Sequence, residues 1–125
     1  MLQKRSFGSV ELTSIDEAAL RAALRDGVAA CAAARPEVEK IVLFGSFARG
    51  DWVPESDVDL LVVLSATTIP PLERAENFRS FFDSIPLDVN PLVVTRREFD
   101  AASADAATVV HSALAEGEVL FERRV

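Results

Sequence analysis

Leu60-Leu61-Val62-Val63-Leu64 is apolar at every position. Strand side chains alternate between two faces, so such a run is stable only where both faces are covered. That demands a sheet with a layer packed on each side. Ile41-Val42-Leu43-Phe44, bounded by Lys40 and Gly45, makes the same demand earlier in the chain. A third run, Leu87-Asp88-Val89-Asn90-Pro91-Leu92-Val93-Val94, carries an interior proline, which puts it at an edge or beside a bulge.

Helical patterns fill the intervals. Ser14-Ile15-Asp16-Glu17 has the form of a capping box, with Ser14 as cap, and opens a helix through Leu20, Leu24 and Val28 that Pro36 ends. Residues Met1 to Thr13 read as an extended arm or a short edge strand, and Phe7-Gly8-Ser9 as a chance echo of Phe44-Gly45-Ser46. Leu72, Ala75, Phe78, Phe82 and Ile85 recur at helical spacing and predict one helix, with Pro71 in its first turn, packing a single stripe on the sheet. Thr95-Arg96-Arg97-Glu98 repeats the capping-box pattern; a further helix is expected from about Ala106 to Glu116, stopped by Gly117, and a short strand at Glu118 to Glu122. The expected order is α-β-α-β-α-β-α: an α/β (α+β) fold with a mixed sheet of three to four strands flanked by helices. With 125 residues, half of them hydrophobic, the whole chain 1–125 is expected to form one domain.

The chemistry gathers where the first two apolar runs face each other. Gly45-Ser46 turns the first run into Phe47-Ala48-Arg49, and the second run opens with Asp57 and Asp59, two residues apart and so on one face. For these to share a site, the end of the first strand must lie beside the start of the second, which makes the pair antiparallel. For Asp88 to join them, the second and third strands must be parallel. Paired carboxylates repel unless a cation lies between them, and hard oxygen ligands favour magnesium, with manganese as a substitute. Three converging carboxylates, Asp57, Asp59 and Asp88, could hold two ions; Gly45, Ser46 and Arg49, with Ser56 beside the carboxylates, are candidates for binding a nucleotide's phosphates. The parts suit phosphoryl or nucleotidyl transfer from ATP or another nucleoside triphosphate.

Charge narrows the partners. A net charge of −7 argues against a long nucleic acid, which would need clustered basic residues. No run approaches a membrane span and no leader pattern precedes the first helix, so a cytoplasmic location is the expectation. The single cysteine, Cys31, excludes an internal disulfide. Trp52 reads as packing over its loop, and the lone histidine, His111, as a surface or packed residue rather than a ligand.

Gly45-Ser46, ten residues and then Asp57-Val58-Asp59 resembles the signature of the DNA polymerase β-like nucleotidyltransferase superfamily. Gly-Ser-Phe-Ala-Arg-Gly-Asp with Ser-Asp-Val-Asp-Leu is similar to its minimal nucleotidyltransferase branch. The resemblance implies the nucleotidyltransferase fold, magnesium held by Asp57 and Asp59, and a third aspartate matched here by Asp88. It also implies a partner: such minimal proteins are often encoded beside a small helical HEPN-type protein, and some are antitoxins that transfer AMP from ATP onto a tyrosine of it. A binding module that neutralises a partner by occlusion is the alternative. Transfer to a small molecule such as an aminoglycoside is a third reading, in which a homo-oligomer would supply the pocket.

Overall fold

The computed structural model describes residues 2–7, 10–15, 17–52 and 55–123, with side chains from Glu17 onward. Its centre is a four-stranded sheet in the order β5-β4-β3-β6, built from β3 (Val38–Phe44), β4 (Val58–Leu64), β5 (Val89–Thr95) and β6 (Glu118–Glu122). β3 runs antiparallel to both β4 and β6, whereas β4 and β5 are parallel. The mixed sheet and both expected pairings are thus present, and Pro91 lies in β5, an edge strand, where its missing N–H removes no internal ladder bond.

Both faces of β3 and β4 are covered. On one face Ile41, Leu43, Leu60, Val62 and Leu64 pack against Leu20, Leu24, Val28 and Cys31 of α1 (Glu17–Ala34) and against Phe78, Phe82 and Ile85. On the other, Val42, Leu61 and Val63 pack against Phe99 of α4 (Arg96–Ser103) and Val110 and Ala113 of α5 (Val109–Glu116). Alanines on the solvent side give α1 its propensity, and the leucines and Val28 repeat at three- and four-residue steps to form its buried stripe. Gly27 belongs to that stripe because a Cβ there would stand 2.7 Å from both the Phe81 carbonyl and the Phe82 ring.

The structure departs from the sequence reading in four places. Residues Leu2–Phe7 (β1) and Val10–Ile15 (β2) form an antiparallel pair, a second two-stranded sheet. Ser14 is therefore not a helix cap: it lies in β2 opposite Gln3, and α1 begins at Glu17. Asp16, Gly8 and Ser9 lie outside the described residues.

The third departure is the helix expected from Leu72 to Ile85, which is broken into a 3-10 turn (Pro71–Glu73), α3 (Arg74–Arg79) and a second 3-10 turn (Ser80–Phe82). Leu72 is 97% exposed, while Arg74 is only 7% exposed. The register changes because Arg74 has enough acceptors to be buried: Ile69 O at 3.0 Å, Val93 O at 3.4 Å and Glu98 Oε1 at 2.6 Å. Lastly, α5 starts at Val109 rather than near Ala106, because Thr108 accepts from His111 N at 3.1 Å and caps it there. The Thr95–Glu98 capping box forms as expected, with Thr95 N donating to Glu98 at 2.8 Å and Glu98 N to Thr95 Oγ1 at 3.2 Å. Among the described residues no helix is long and apolar enough to cross a membrane.

Candidate active site

β3 ends at Phe44 directly opposite Asp59 of β4, so the Gly45-Ser46 turn lands beside the carboxylates. Gly45 has φ 79°, a backbone angle that L side chains rarely adopt, and a Cβ at this position would collide with the Asp59 carboxylate. Only glycine meets both conditions. The chain then makes one helical turn, α2 (Ser46–Arg49), closed by Arg49 N to Gly45 O at 3.1 Å and Gly50 N to Ser46 O at 3.0 Å. Phe47 is buried under the turn and stacks at 5.0 Å on Trp52, whose indole donates to Glu17 at 3.0 Å. Trp52 thus ties the loop to α1, as its packed reading implied. His111 is likewise a packing residue, its Nδ1 2.9 Å from Ser103 O at the α4–α5 junction.

Asp57 is exposed and Asp59 half-buried. By strand alternation they face the α4–α5 side of the sheet, in line with Leu61 and Val63. Burial pushes the Asp59 carboxyl above its ordinary value; Asn90 pulls it back, Asp57 raises it again and Arg49 lowers it. Arg49 lies within reach of the carboxylates electrostatically, but its guanidinium is engaged by Asp51 at 3.3 Å and Glu116 at 3.1 Å. These two acids raise its pKa further. Ser56 is half-buried just before Asp57.

Asp88 stands immediately before β5. Its carbonyl accepts from Val58 N at 2.8 Å, and the residue lines a shallow cavity of about 170 Å³ with Arg79, Phe82 and Asp83. Among the described residues no three His, Cys, Asp or Glu side chains are grouped to hold a metal ion. The structure brings together Gly45, Asp57 and Asp59, and it does not gather Asp88 into that group. In its place is a residue the sequence reading passed over: Asn90, opposite Asp59 in the β4–β5 register, donates from Nδ2 to Asp57 Oδ2 at 2.9 Å. Parallel pairing of Asp57-Val58-Asp59 with Asp88-Val89-Asn90 was the signal that could have found it.

A glycine turn abutting paired carboxylates, on a mixed sheet covered on both faces, is an arrangement suited to nucleotidyl transfer. The sequence profile of the nucleotidyltransferase domain family matches residues 26–111, and the chain belongs to that family. Two proteins of Methanocaldococcus jannaschii, both provisionally named protein adenylyltransferases, are similar to it over a short stretch. MJ0604 is 59% identical over 29 residues, 23% of this chain and 29% of that protein. MJ0141 is 47% identical over 30 residues, 24% of this chain and 30% of its own. The match thus spans under a third of either relative. In fold, the chain is similar to the crystal structure of a provisionally named nucleotidyltransferase of Sulfolobus solfataricus, with a TM-score of 0.61 at 22% identity over 86% of this chain and 84% of that one.

Proposed function

We propose that this nucleotidyltransferase uses divalent cations to move AMP from ATP onto a hydroxyl of a partner protein. The observation that carries the reading is the contact between Gly45 and Asp59, which sets a turn able to receive phosphates against two carboxylates on one sheet face. The donor set suits magnesium or manganese, since Asp57 and Asp59 offer hard oxygens on one face of the sheet. When bound, such ions would neutralise the triphosphate and acidify the attacking hydroxyl.

In this reading Asp57 and Asp59 hold the cations, and Gly45, Ser46, Ser56 and Arg49 meet the phosphates; Asp88, read from the sequence as a third metal ligand, stands outside that group. The acceptor oxygen attacks the α-phosphorus, the bond to the β-phosphate oxygen breaks, pyrophosphate leaves and the hydroxyl proton passes to a carboxylate or water. The names of the two short-range relatives favour a protein as acceptor. The minimal-nucleotidyltransferase resemblance points to a HEPN-type helical protein, which would make this chain an antitoxin.

One observation favours a second reading, in which the chain neutralises a partner by occlusion alone: Arg49 is spoken for by Asp51 and Glu116. Calorimetry of ATP binding, with and without magnesium, separates the two. Wild type is expected to bind ATP only with magnesium, and Asp57→Asn/Asp59→Asn to weaken that binding by at least ~10-fold, about 1.4 kcal/mol. Equal binding by wild type and double variant would sink the catalytic assignment.

A further inference from the structure

We propose that Asn90 is a positioning residue of this site: it fixes the Asp57 carboxylate through its side-chain amide and, standing opposite Asp59, holds the site at two carboxylates where an acid at the same position would make three. The inference rests on the cation-site reading above and deepens it.

Three observations meet at this residue. The register of β4 and β5 pairs Val58 with Val89 and Asp59 with Asn90, so Asn90 lies on the same sheet face as the carboxylates. Its Nδ2 donates to Asp57 Oδ2 at 2.9 Å. Asp88, two residues earlier, instead presents its carbonyl to Val58 N and lines a cavity with Arg79 and Asp83. The residue in contact with the carboxylate pair is thus the amide, not the third acid.

An amide here has two consequences. It restricts Asp57, an exposed side chain that would otherwise sample several rotamers, to an orientation with one oxygen engaged and the other free for a cation. It also leaves the site one negative charge short of a three-carboxylate site, so affinity for a bare divalent cation is modest and cation binding becomes strongly coupled to the triphosphate, whose oxygens supply the missing charge. Metal and nucleotide then load together.

The test uses Mn2+ as the probe, alone and with ATP, measured by electron paramagnetic resonance of free ion on wild type, Asn90→Ala and Asn90→Asp, with melting temperatures taken in parallel. Asn90→Ala is expected to weaken Mn2+-ATP binding by about 10-fold, the usual effect of removing a group that orients a metal ligand. Asn90→Asp should bind Mn2+ alone about 10-fold more tightly than wild type. Without metal its melting temperature falls, because three acids repel, and Mn2+ restores it. A residue that merely decorates an edge strand would move none of these binding constants. If both variants bind Mn2+ and Mn2+-ATP as wild type does, the positioning role is wrong while the cation site stands. If wild type itself binds Mn2+ in neither form, the cation-site reading fails and this inference fails with it.

Discussion

Gly45 is where a single atom decides the site. Its φ of 79° and the Asp59 carboxylate occupying the space of a Cβ mean that Gly45→Ala must change the turn, the carboxylate or both. Strain of this kind costs about 1–3 kcal/mol. The expected outcome is a chemical-denaturation midpoint shifted by about 2 kcal/mol, together with loss of magnesium-dependent ATP binding. Gly50→Ala tests whether the collision matters beyond the backbone angle: Gly50 also has positive φ, 85°, but nothing stands within 4 Å of its Cβ position. It should lose stability and keep the nucleotide. Cys31 illustrates the opposite situation, a reactive group made inert by packing. Fully buried in α1, its thiol is pushed up to about 11, chiefly by burial. Since the thiolate is the reacting form, a disulfide reagent at pH 8 is expected to label native protein only at the rate of unfolding. Rapid stoichiometric labelling under native conditions would show that α1 opens locally.

At the scale of elements, the α3 region shows what a periodic pattern can and cannot say. Phe78, Phe82 and Ile85 are buried as their spacing implies, but Leu72 projects into solvent and Arg74 takes the inward position. Leu72→Gln should therefore change stability by no more than about 0.5 kcal/mol, against about 3–5 kcal/mol for Phe78→Ala. Arg74→Ala strands the Ile69 and Val93 carbonyls, and about 2 kcal/mol is expected; Glu98 stays partly solvated, so its loss of partner adds little. Arg74, and then the Thr95 backbone, hold the Glu98 carboxyl below its ordinary value of 4.5. A depressed carboxylate contributes stability above its unfolded pKa and loses it as pH falls through the folded one. The stability difference between wild type and Glu98→Gln should thus be constant above about pH 5.5 and shrink below pH 4.5.

The same contrast explains what could be read from sequence. Apolar runs such as Leu60 to Leu64 report burial on both faces without regard to partners, and Thr95 with Glu98 form a cap from local geometry alone. Arg74 is buried because of acceptors contributed by residues 69, 93 and 98, a convergence no local pattern contains. Ser14 looked like a cap for local reasons but is drawn into a hairpin with Gln3. Asn90 was hidden differently: its contact with Asp57 follows from register, and the sequence drew attention to the acid two residues before it.

For the whole molecule, the consequence of covering both sheet faces is cooperativity. β3 and β4 supply side chains to the α1–α3 layer through Ile41, Leu43, Leu60, Val62 and Leu64, and to the α4–α5 layer through Val42, Leu61 and Val63. Neither layer can lose its strands without the other losing them too. Cross-connections reinforce this: Arg123, after β6, donates to Val38 O of β3 and Ala32 O of α1, both at 2.9 Å. The four-stranded sheet and its two layers should therefore unfold as one unit, as small single domains usually do. Trp52 gives a test, because it packs against the α1 side through Phe47 and Glu17, far from Leu61 on the other face. Leu61→Ala removes volume from the α4–α5 layer and is expected to cost about 2–5 kcal/mol. In one cooperative unit that loss lowers the Trp52 fluorescence midpoint as much as the circular-dichroism midpoint, although the indole touches nothing that was changed. A Trp52 transition that stayed at its wild-type midpoint would divide the sheet into two independently melting layers, and the carboxylates on its α4–α5 face would then sit on the weaker of them.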